Sequence, residues 1–346
     1  MSDRFNEYAT YIIKSINLRQ NQSVEIVTPN ECVYFAERLL KELLSYTHDI
    51  YLTITNSKRE DNPHLDDSFY DRMIEKEFVR ITITSPFTLS RDNYYLDLQS
   101  AKLKDYFHKN ISQRTMVAIP NNKWASNLGI TLGELLDKIV NIALRENKLS
   151  KYIDKLYDLD IRYLHIKTGI GTDLLIETIK GFKFNTGILK TKKGIEFKAN
   201  IPSLEIYTSP SKYGVIGKIV GSKPLYIKDR LIGSFQLEFN EGKVIKSIGL
   251  DSVLRLDDSM YYLGEIGLAE YDDEVYCSTI IDENLSTHIA LGNSYKFGIP
   301  SKYYDDLNYS EYHVDLPIGT SDMLIEAKDK EGNIITIFKD GNFIFE

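Results

Sequence analysis

A histidine and an aspartate stand two residues apart near the end of the 346-residue chain, at His313 and Asp315. Successive side chains of a β-strand point to opposite faces, so residues two apart share a face. A strand at this position would present one imidazole nitrogen and one carboxylate to the same metal ion. Such mixed ligands suit Zn²⁺, Co²⁺ or Mn²⁺. The spacing alone is a weak indication, because the same pair also arises by chance.

Other segments place acids and a histidine in settings that suggest chemistry. Glu205 interrupts an apolar stretch, and Glu265 stands among small and apolar residues. A lone buried acid is costly unless it is paired or bound to a metal, although an exposed position on a half-buried strand is the simpler explanation. His288 follows Glu283 by five residues, in a segment that ends in Ala-Leu-Gly. The chain has no HExxH motif, no glycine-rich phosphate loop and no GxSxG motif.

In this order, the segments resemble the aminopeptidase T family of metallopeptidases, which includes the aminopeptidase S type. The matching blocks are residues 171–174, 200–208, 263–265, 282–292 with Tyr295, and 313–315 with 318–319. Together these blocks are specific, whereas any one alone is not. The resemblance covers most of the chain and is closest from residue 160 to the end.

The resemblance implies a metal site made of seven residues. They are Glu205, Glu265, Glu283, His288, Tyr295, His313 and Asp315. Seven ligating groups suit two divalent ions (Zn, Co or Mn) better than one. Glu265 and Glu283 are the candidate general bases, Glu265 is also the candidate bridging ligand, and Tyr295 could bind metal or stabilise the oxyanion. The chain departs from the family at Leu204, where relatives carry a Glu, which leaves substrate specificity open.

The activity that the resemblance implies is hydrolysis of the N-terminal residue from peptides with a free N-terminus, through a water activated by two metals. A homodimer is implied as well. Two alternatives stay open. A mononuclear iron ring-cleaving dioxygenase could use His288, His313 and Asp315, although the retained glutamates argue against it. A catalytically inactive binding homologue is the other alternative, although no ligand is lost.

The first half of the chain alternates helical and strand patterns. Apolar residues recur at helical spacing over residues 32–43 and 132–143, and short apolar runs such as 24–27 and 50–55 suggest strands. Strands that alternate with helices imply a mostly parallel sheet. We therefore predict an α/β N-terminal domain over residues 1–155, which covers the active site and makes dimer contacts.

The pattern changes after that point. Strand-like runs dominate, and turns at Asn240-Glu241-Gly242, Glu331-Gly332 and Asp340-Gly341 predict hairpins. We predict a strand-rich α+β catalytic domain over residues 156–346, and this domain carries the metal site.

Composition narrows the class of protein. A net charge of −8 argues against a nucleic-acid partner. The two cysteines, Cys32 and Cys277, imply no disulfide framework and fit a reducing compartment. No stretch approaches the roughly 20 apolar residues of a membrane span, and the first residues do not resemble a signal peptide. We expect a cytoplasmic protein that binds neither membrane nor nucleic acid.

Overall fold

The computed structural model describes residues 2–55, 67–88, 101–146, 148–227 and 230–345. These residues form two compact units, the first drawn from 1–145, 187–203 and 227–229 and the second from 146–186, 204–226 and 230–346. The two units therefore cannot be separated at a single point in the chain, because residues 187–203 follow part of the second unit in sequence but belong to the first. A single domain boundary near residue 155 stays a proposal.

Helices occur in both compact units. In chain order, the α-helices of the described residues are α1 (Ser2–Ser15), α2 (Val33–Leu43), α3 (Asp67–Glu75), α4 (Ala101–His108), α5 (Asn122–Asn127), α6 (Leu132–Ala143), α7 (Leu149–Tyr157), α8 (Asp251–Leu254) and α9 (Thr279–Asp282). Short 3-10 helices are Asn30–Cys32, Asp258–Tyr261, Glu283–Leu285 and Ser301–Asp306. Within the described ranges, no helix has the length and apolar character needed to cross a membrane.

The β-strands of the described residues are numbered in chain order as well. They are β1 (Val24–Pro29), β2 (Ile50–Thr55), β3 (Val79–Thr84), β4 (Arg114–Ala118), β5 (Ile161–Lys167), β6 (Asp173–Thr178), β7 (Asn185–Thr186), β8 (Ile188–Lys190), β9 (Glu196–Lys198), β10 (Asn200–Ile201), β11 (Glu205–Thr208), β12 (Pro210–Val220), β13 (Leu225–Ile227), β14 (Arg230–Ile232), β15 (Gln236–Asn240), β16 (Lys243–Ile248), β17 (Leu263–Ala269), β18 (His288–Gly292), β19 (His313–Pro317), β20 (Leu324–Asp329), β21 (Ile334–Lys339) and β22 (Asn342–Phe343).

A parallel five-stranded sheet forms the centre of the first unit, in the order β10, β4, β3, β1, β2. Strand β1, which lies between β3 and β2, is buried along its whole length, as expected for a strand covered on both faces. Helix α6 begins at a capping box in which Thr131 and Glu134 satisfy each other's backbone N–H groups. The predicted α/β class of this half is confirmed.

Two antiparallel sheets make up most of the second unit. The larger has the order β16, β15, β12, β6, β5, β20, β21, β22. The predicted hairpin at residues 240–242 is confirmed, with Asn240 paired to Lys243. Its strands are β15 and β16. Glu241 and Gly242 have φ of 48° and 79°, the left-handed region that a two-residue hairpin turn requires.

The smaller antiparallel sheet, in the order β19, β18, β17, β11, β7, carries the candidate site. Ala290 of β18 pairs with Glu265 on one side and with Asp315 on the other. Glu205 pairs with Ala269, four residues beyond Glu265 on the same strand. Directly paired residues, and residues an even number apart on a strand, share one face. The three acids therefore project from the same face.

A glycine on that face makes room for one of the histidines. Gly267 pairs with His288, and Gly292 pairs with His313. A Cβ at position 267 would lie 2.1 Å from Cε1 and 2.3 Å from Nε2 of His288. The imidazole of His288 therefore lies flat over the Gly267 backbone, and only glycine permits that approach.

A buried ion pair holds the centre of the first unit together. Arg80 Nη2 lies 2.6 Å from Glu25 Oε2, and both side chains are buried. Thr53 donates a 2.9 Å hydrogen bond to the second carboxylate oxygen. The guanidinium carbon lies 5.1 Å from the centroid of the Phe107 ring. The charge of Glu25 is thus satisfied entirely by protein donors.

Replacing Arg80 tests how much this pair matters for folding. Arg80→Met leaves Glu25 buried without a counter-charge, so we expect the free energy of unfolding to fall by about 3–5 kcal/mol. Urea unfolding followed by circular dichroism measures the change. Lys109→Met, which removes an exposed pair with Asp105, is the control and should cost at most about 1 kcal/mol. Equal losses in both variants would contradict the assignment.

Candidate metal centre

All seven residues expected at the site lie in the second unit. Strands supply five of them, namely Glu205 on β11, Glu265 on β17, His288 on β18, and His313 and Asp315 on β19. The other two lie next to strands: Glu283 begins the 3-10 helix Glu283–Leu285 before β18, and Tyr295 follows β18.

Three of these side chains form a first group of possible ligands. Nε2 of His288 lies 3.2 Å from Oε2 of Glu205 and 3.5 Å from Oε1 of Glu265. One atom from each residue lies within 4.8 Å of the others, which is close enough for one ion. All three residues are buried.

A second group shares one member with the first. Glu265, His313 and Asp315 also bring one ligand atom each within 4.8 Å of one another. Nε2 of His313 lies 3.2 Å from Oδ1 of Asp315, and the same oxygen lies 3.9 Å from Nε2 of His288. The two groups are therefore adjacent, and Glu265 belongs to both.

Backbone carbonyls fix the orientation of both imidazoles. Nδ1 of His288 lies 3.2 Å from the Glu283 carbonyl oxygen, and Nδ1 of His313 lies 2.8 Å from the Asn293 carbonyl oxygen. A carbonyl only accepts hydrogen bonds, so each Nδ1 carries a hydrogen. Each Nε2 consequently faces the carboxylates, which is the usual arrangement of a metal-binding histidine.

Glu283 and Tyr295 complete the cluster from outside the strands. Glu283 is buried and hydrogen-bonded to Asp315. The ring of Tyr295 lies 4.9 Å from that of His313, measured between centroids. Its backbone is tied to the Ser209 hydroxyl, which accepts from Tyr295 N at 3.0 Å and donates to Tyr295 O at 2.9 Å. All seven residues are thus brought together.

Burial and mutual repulsion favour protonated carboxyl groups in this cluster. Burial raises the pKa of Glu205 to about 8, assisted by the charges of Glu265 and Asp315 and opposed by His288. Burial also raises the pKa of Glu283 well above its usual range, and the nearby carboxylates add to the effect. Burial raises the pKa of the Tyr295 hydroxyl.

The histidines respond in the opposite sense to burial. Burial by itself would lower their pKa values, but the carboxylates outweigh it. Glu205 is the largest of these influences on His288, whose pKa rises to about 10, and Asp315 raises that of His313 to about 9. Burial would raise the pKa of Asp315, but the two histidines hold it below its usual value. Without metal, both imidazoles are therefore cationic at neutral pH.

The chemistry of the cluster fits a metal centre. Oε2 of Glu205 is buried and has no hydrogen-bond partner within the described part of the chain, although it approaches His288 Nε2. The short distance is thus a charge contact without hydrogen-bond geometry. An orphaned carboxylate oxygen is costly unless a cation meets it. Carboxylates, imidazoles and a phenol are oxygen and nitrogen ligands that divalent ions such as Zn²⁺ accept.

Two residues that position the site were missed in the sequence. Gly267 makes room for His288, and its position two residues after Glu265 could have indicated this role in the sequence. Asn284 joins two site segments: its Oδ1 accepts from Leu204 N at 2.5 Å, and its Nδ2 donates to Glu283 Oε1 at 3.4 Å. Because Asn284 directly follows Glu283, the amide could have been noticed as a bridging group.

Comparisons with known proteins find similar peptidases. The family model described as "Thermophilic metalloprotease (M29)" matches residues 1–343. Aminopeptidase AmpS of Bacillus subtilis (strain 168) is 31% identical over 58% of this chain and 53% of that protein. Aminopeptidase 2 of Geobacillus stearothermophilus is 30% identical over 64% of this chain and 59% of that protein. The matches thus span little more than half the length of these relatives.

Solved structures share the fold. Wild-type AmpT from Thermus thermophilus has a TM-score of 0.85 and 20% identity, covering 99% of this chain and 100% of that one. The 2,5-dihydroxypyridine dioxygenase of Pseudomonas putida KT2440 has a TM-score of 0.61 and 11% identity, covering 99% of this chain and 97% of that one. These likenesses confirm the predicted fold class.

Metal binding should release protons from this cluster. The pKa values of His288, His313 and Glu205, about 10, 9 and 8, mean that the metal-free site is protonated at pH 7. Ligands must lose those protons, so we expect about two or more protons released per chain and tighter binding as pH rises from 6 to 9. Calorimetric titration with Zn²⁺ in buffers of different ionisation enthalpy counts them. Binding without proton release would contradict this description of the site.

Proposed function

This chain belongs to the thermophilic metalloprotease (M29) family, and from that premise we propose that it is a metal-dependent aminopeptidase. The names of the curated relatives, all aminopeptidases, support the exopeptidase activity. The proposed substrates are peptides with a free N-terminus. The proposed cofactors are two divalent ions, Zn, Co or Mn.

One observation carries the proposal of two ions. The ligand atoms fall into two overlapping groups, Glu205-Glu265-His288 and Glu265-His313-Asp315. A single ion would use one group and leave the buried acid of the other with only a histidine beside it. The shared carboxylate of Glu265 is therefore the proposed bridging ligand, and the two flanking groups are the proposed individual sites.

The remaining residues have proposed roles in the reaction. Bound divalent ions would supply Lewis acidity, which activates water and polarises a carbonyl group. Glu265 is the first candidate for the general base and Glu283 is the second. An ionised carboxylate at either position would take a proton from water and return it to the leaving amine. The hydroxyl of Tyr295 is proposed to donate a hydrogen bond to the developing oxyanion.

The iron dioxygenase remains the alternative, because a dioxygenase of the same fold is known. It would use His288, His313 and Asp315 and would leave buried acids such as Glu205 unpartnered. That cost favours the two-ion proposal. An inactive binding homologue is disfavoured because every ligand type that the family resemblance implies is present. A homodimer in the cytoplasm, with the α/β half covering the site, belongs to the same proposal.

Hydrolysis of aminoacyl-p-nitroanilides tests the function directly. The metal-stripped protein should be inactive, and Co²⁺, Zn²⁺ or Mn²⁺ should restore cleavage of substrates with a free amino group. N-acetylated versions of the same substrates are the control and should not be cleaved. If no metal restores activity, the metal content of untreated protein decides between the alternatives: one iron per chain indicates the oxygenase, and no metal indicates the inactive homologue.

Substitution of the shared carboxylate tests its role. Glu265→Gln keeps the size of the side chain but removes the charge that both ligand groups use. We expect turnover to fall by at least about 10²-fold, with an unchanged circular dichroism spectrum. Glu238→Gln, on the exposed side of β15, is the matched control and should keep wild-type turnover. Wild-type turnover in Glu265→Gln would refute the assignment.

A further inference from the structure

A buried ion pair lies next to Glu283 in the second unit. The ammonium group of Lys223 lies 3.9 Å from Oδ1 of Asp282, and both side chains are buried. Asp282 is the last residue of α9, and Glu283 follows it directly as the first residue of the next 3-10 helix. Because the two residues are consecutive, the position of Asp282 constrains the position of Glu283.

Both oxygens of the Asp282 carboxylate bind the turn that precedes α9. Oδ1 accepts a 3.0 Å hydrogen bond from Tyr276 N, and Oδ2 accepts a 2.9 Å hydrogen bond from Ser278 N. Cys277, between them, has a φ of 55°, and a left-handed residue lets the N–H groups on either side converge on one anion. The carboxylate therefore fixes the end of α9 to this turn.

Lys223 joins the same turn to the strand that carries Asp315. Its ammonium group donates a 2.7 Å hydrogen bond to the carbonyl of Glu274, just before the turn. The preceding residue, Ser222, donates its N–H to the carbonyl of Pro317 at 3.0 Å, two residues beyond Asp315 on β19. The ion pair therefore connects the segment before β18 with β19.

Two site acids meet between these two segments. Glu283 is hydrogen-bonded to Asp315, although the two residues belong to different elements. Neighbouring carboxyl groups repel each other when both are ionised, so their approach has to be held by contacts elsewhere. On the N-terminal side of Glu283 that contact is the pair of Lys223 and Asp282. On its C-terminal side it is Asn284, which accepts a backbone N–H from the segment before β11.

We infer that Lys223 and Asp282 are positioning residues that hold Glu283 against Asp315 and thereby set the metal affinity and the turnover of the site. The inference rests on the proposed metal-dependent aminopeptidase function. A role in stability alone would lower the free energy of unfolding and leave each folded molecule fully active. A positioning role lowers the kcat and the metal affinity of molecules that are folded.

Substitution of the carboxylate by an amide tests the inference. Asp282→Asn keeps the size of the side chain, but its amide N–H₂ group would face one of the two backbone N–H donors, so the end of α9 has to move. At saturating Zn²⁺, we expect kcat for leucyl-p-nitroanilide to fall about 10- to 100-fold with little change in KM. Calorimetric titration of the metal-free protein should show the dissociation constant for Zn²⁺ rising by a similar factor.

A second pair of variants separates the effect of position from that of an unbalanced charge. Lys223→Met leaves the carboxylate of Asp282 with backbone donors alone, and it should lower kcat in the same direction. The double variant, Lys223→Met with Asp282→Asn, has no unbalanced buried charge and should fold even where a single variant does not. We expect its kcat to stay at least about tenfold below that of the wild type, because the bonds of the carboxylate are still absent.

Arg80→Met is the matched control, because it also breaks a buried ion pair but does so in the first unit. Its folded fraction, measured by circular dichroism at the assay temperature, should have wild-type kcat and wild-type affinity for Zn²⁺. An equal loss in this control would attribute the effect to destabilisation and overturn the inference. Wild-type kcat and Zn²⁺ affinity in the folded double variant would also overturn it, while the proposed function stands. If the wild type neither binds Zn²⁺ nor cleaves any substrate with any metal, the proposed function fails and the inference fails with it.

Discussion

The constraint on which the second unit depends is the crowding of like charges on one buried face of a sheet. Four carboxyl groups converge there around two imidazoles, and the carboxylates repel one another. The imidazole Nε2 atoms attract the carboxylates over four nitrogen–oxygen distances of 3.2 to 3.9 Å. In a buried environment this repulsion must be balanced by protons or by cations. The raised pKa values of Glu205 and His288 mean that protons provide this balance when no metal is bound. The proposed pair of divalent ions would be the other form of that balance.

These large polar groups fit together only because small residues occupy the positions between the ligands on the sheet. Gly267 stands opposite His288, where a Cβ would meet the imidazole, and Ala290 separates Glu265 from Asp315. Small residues in the paired positions let the large polar groups converge above the backbone without displacing the strands. Pairing between neighbouring strands therefore brings the candidate ligands together in this protein. In zinc proteases with the HExxH motif, a single segment of one helix does so.

The sequence predicted those parts of the site that follow a local rule. His313 and Asp315 share a face because strands have a period of two, and that required no knowledge of the fold. Glu283 and Tyr295 obey no such period, since they lie outside the strands, and it was the family resemblance that assigned them to the site. The sheet of the first unit was predictable from alternating patterns. It was not predictable that residues 187–203 belong to the first unit. Strand β10, within this segment, joins the edge of that sheet by pairing with β4, which is distant in the sequence.

Buried acids elsewhere in the chain show what a structural role looks like. Glu25 is met by the guanidinium of Arg80, and Asp282 by two backbone N–H groups and Lys223. In both cases the protein itself supplies the donors and the positive charge. Glu205 is equally buried, yet one of its oxygens has no hydrogen bond within the described residues. A buried carboxylate oxygen that the described residues leave open in this way is costly unless a cation from outside the chain meets it.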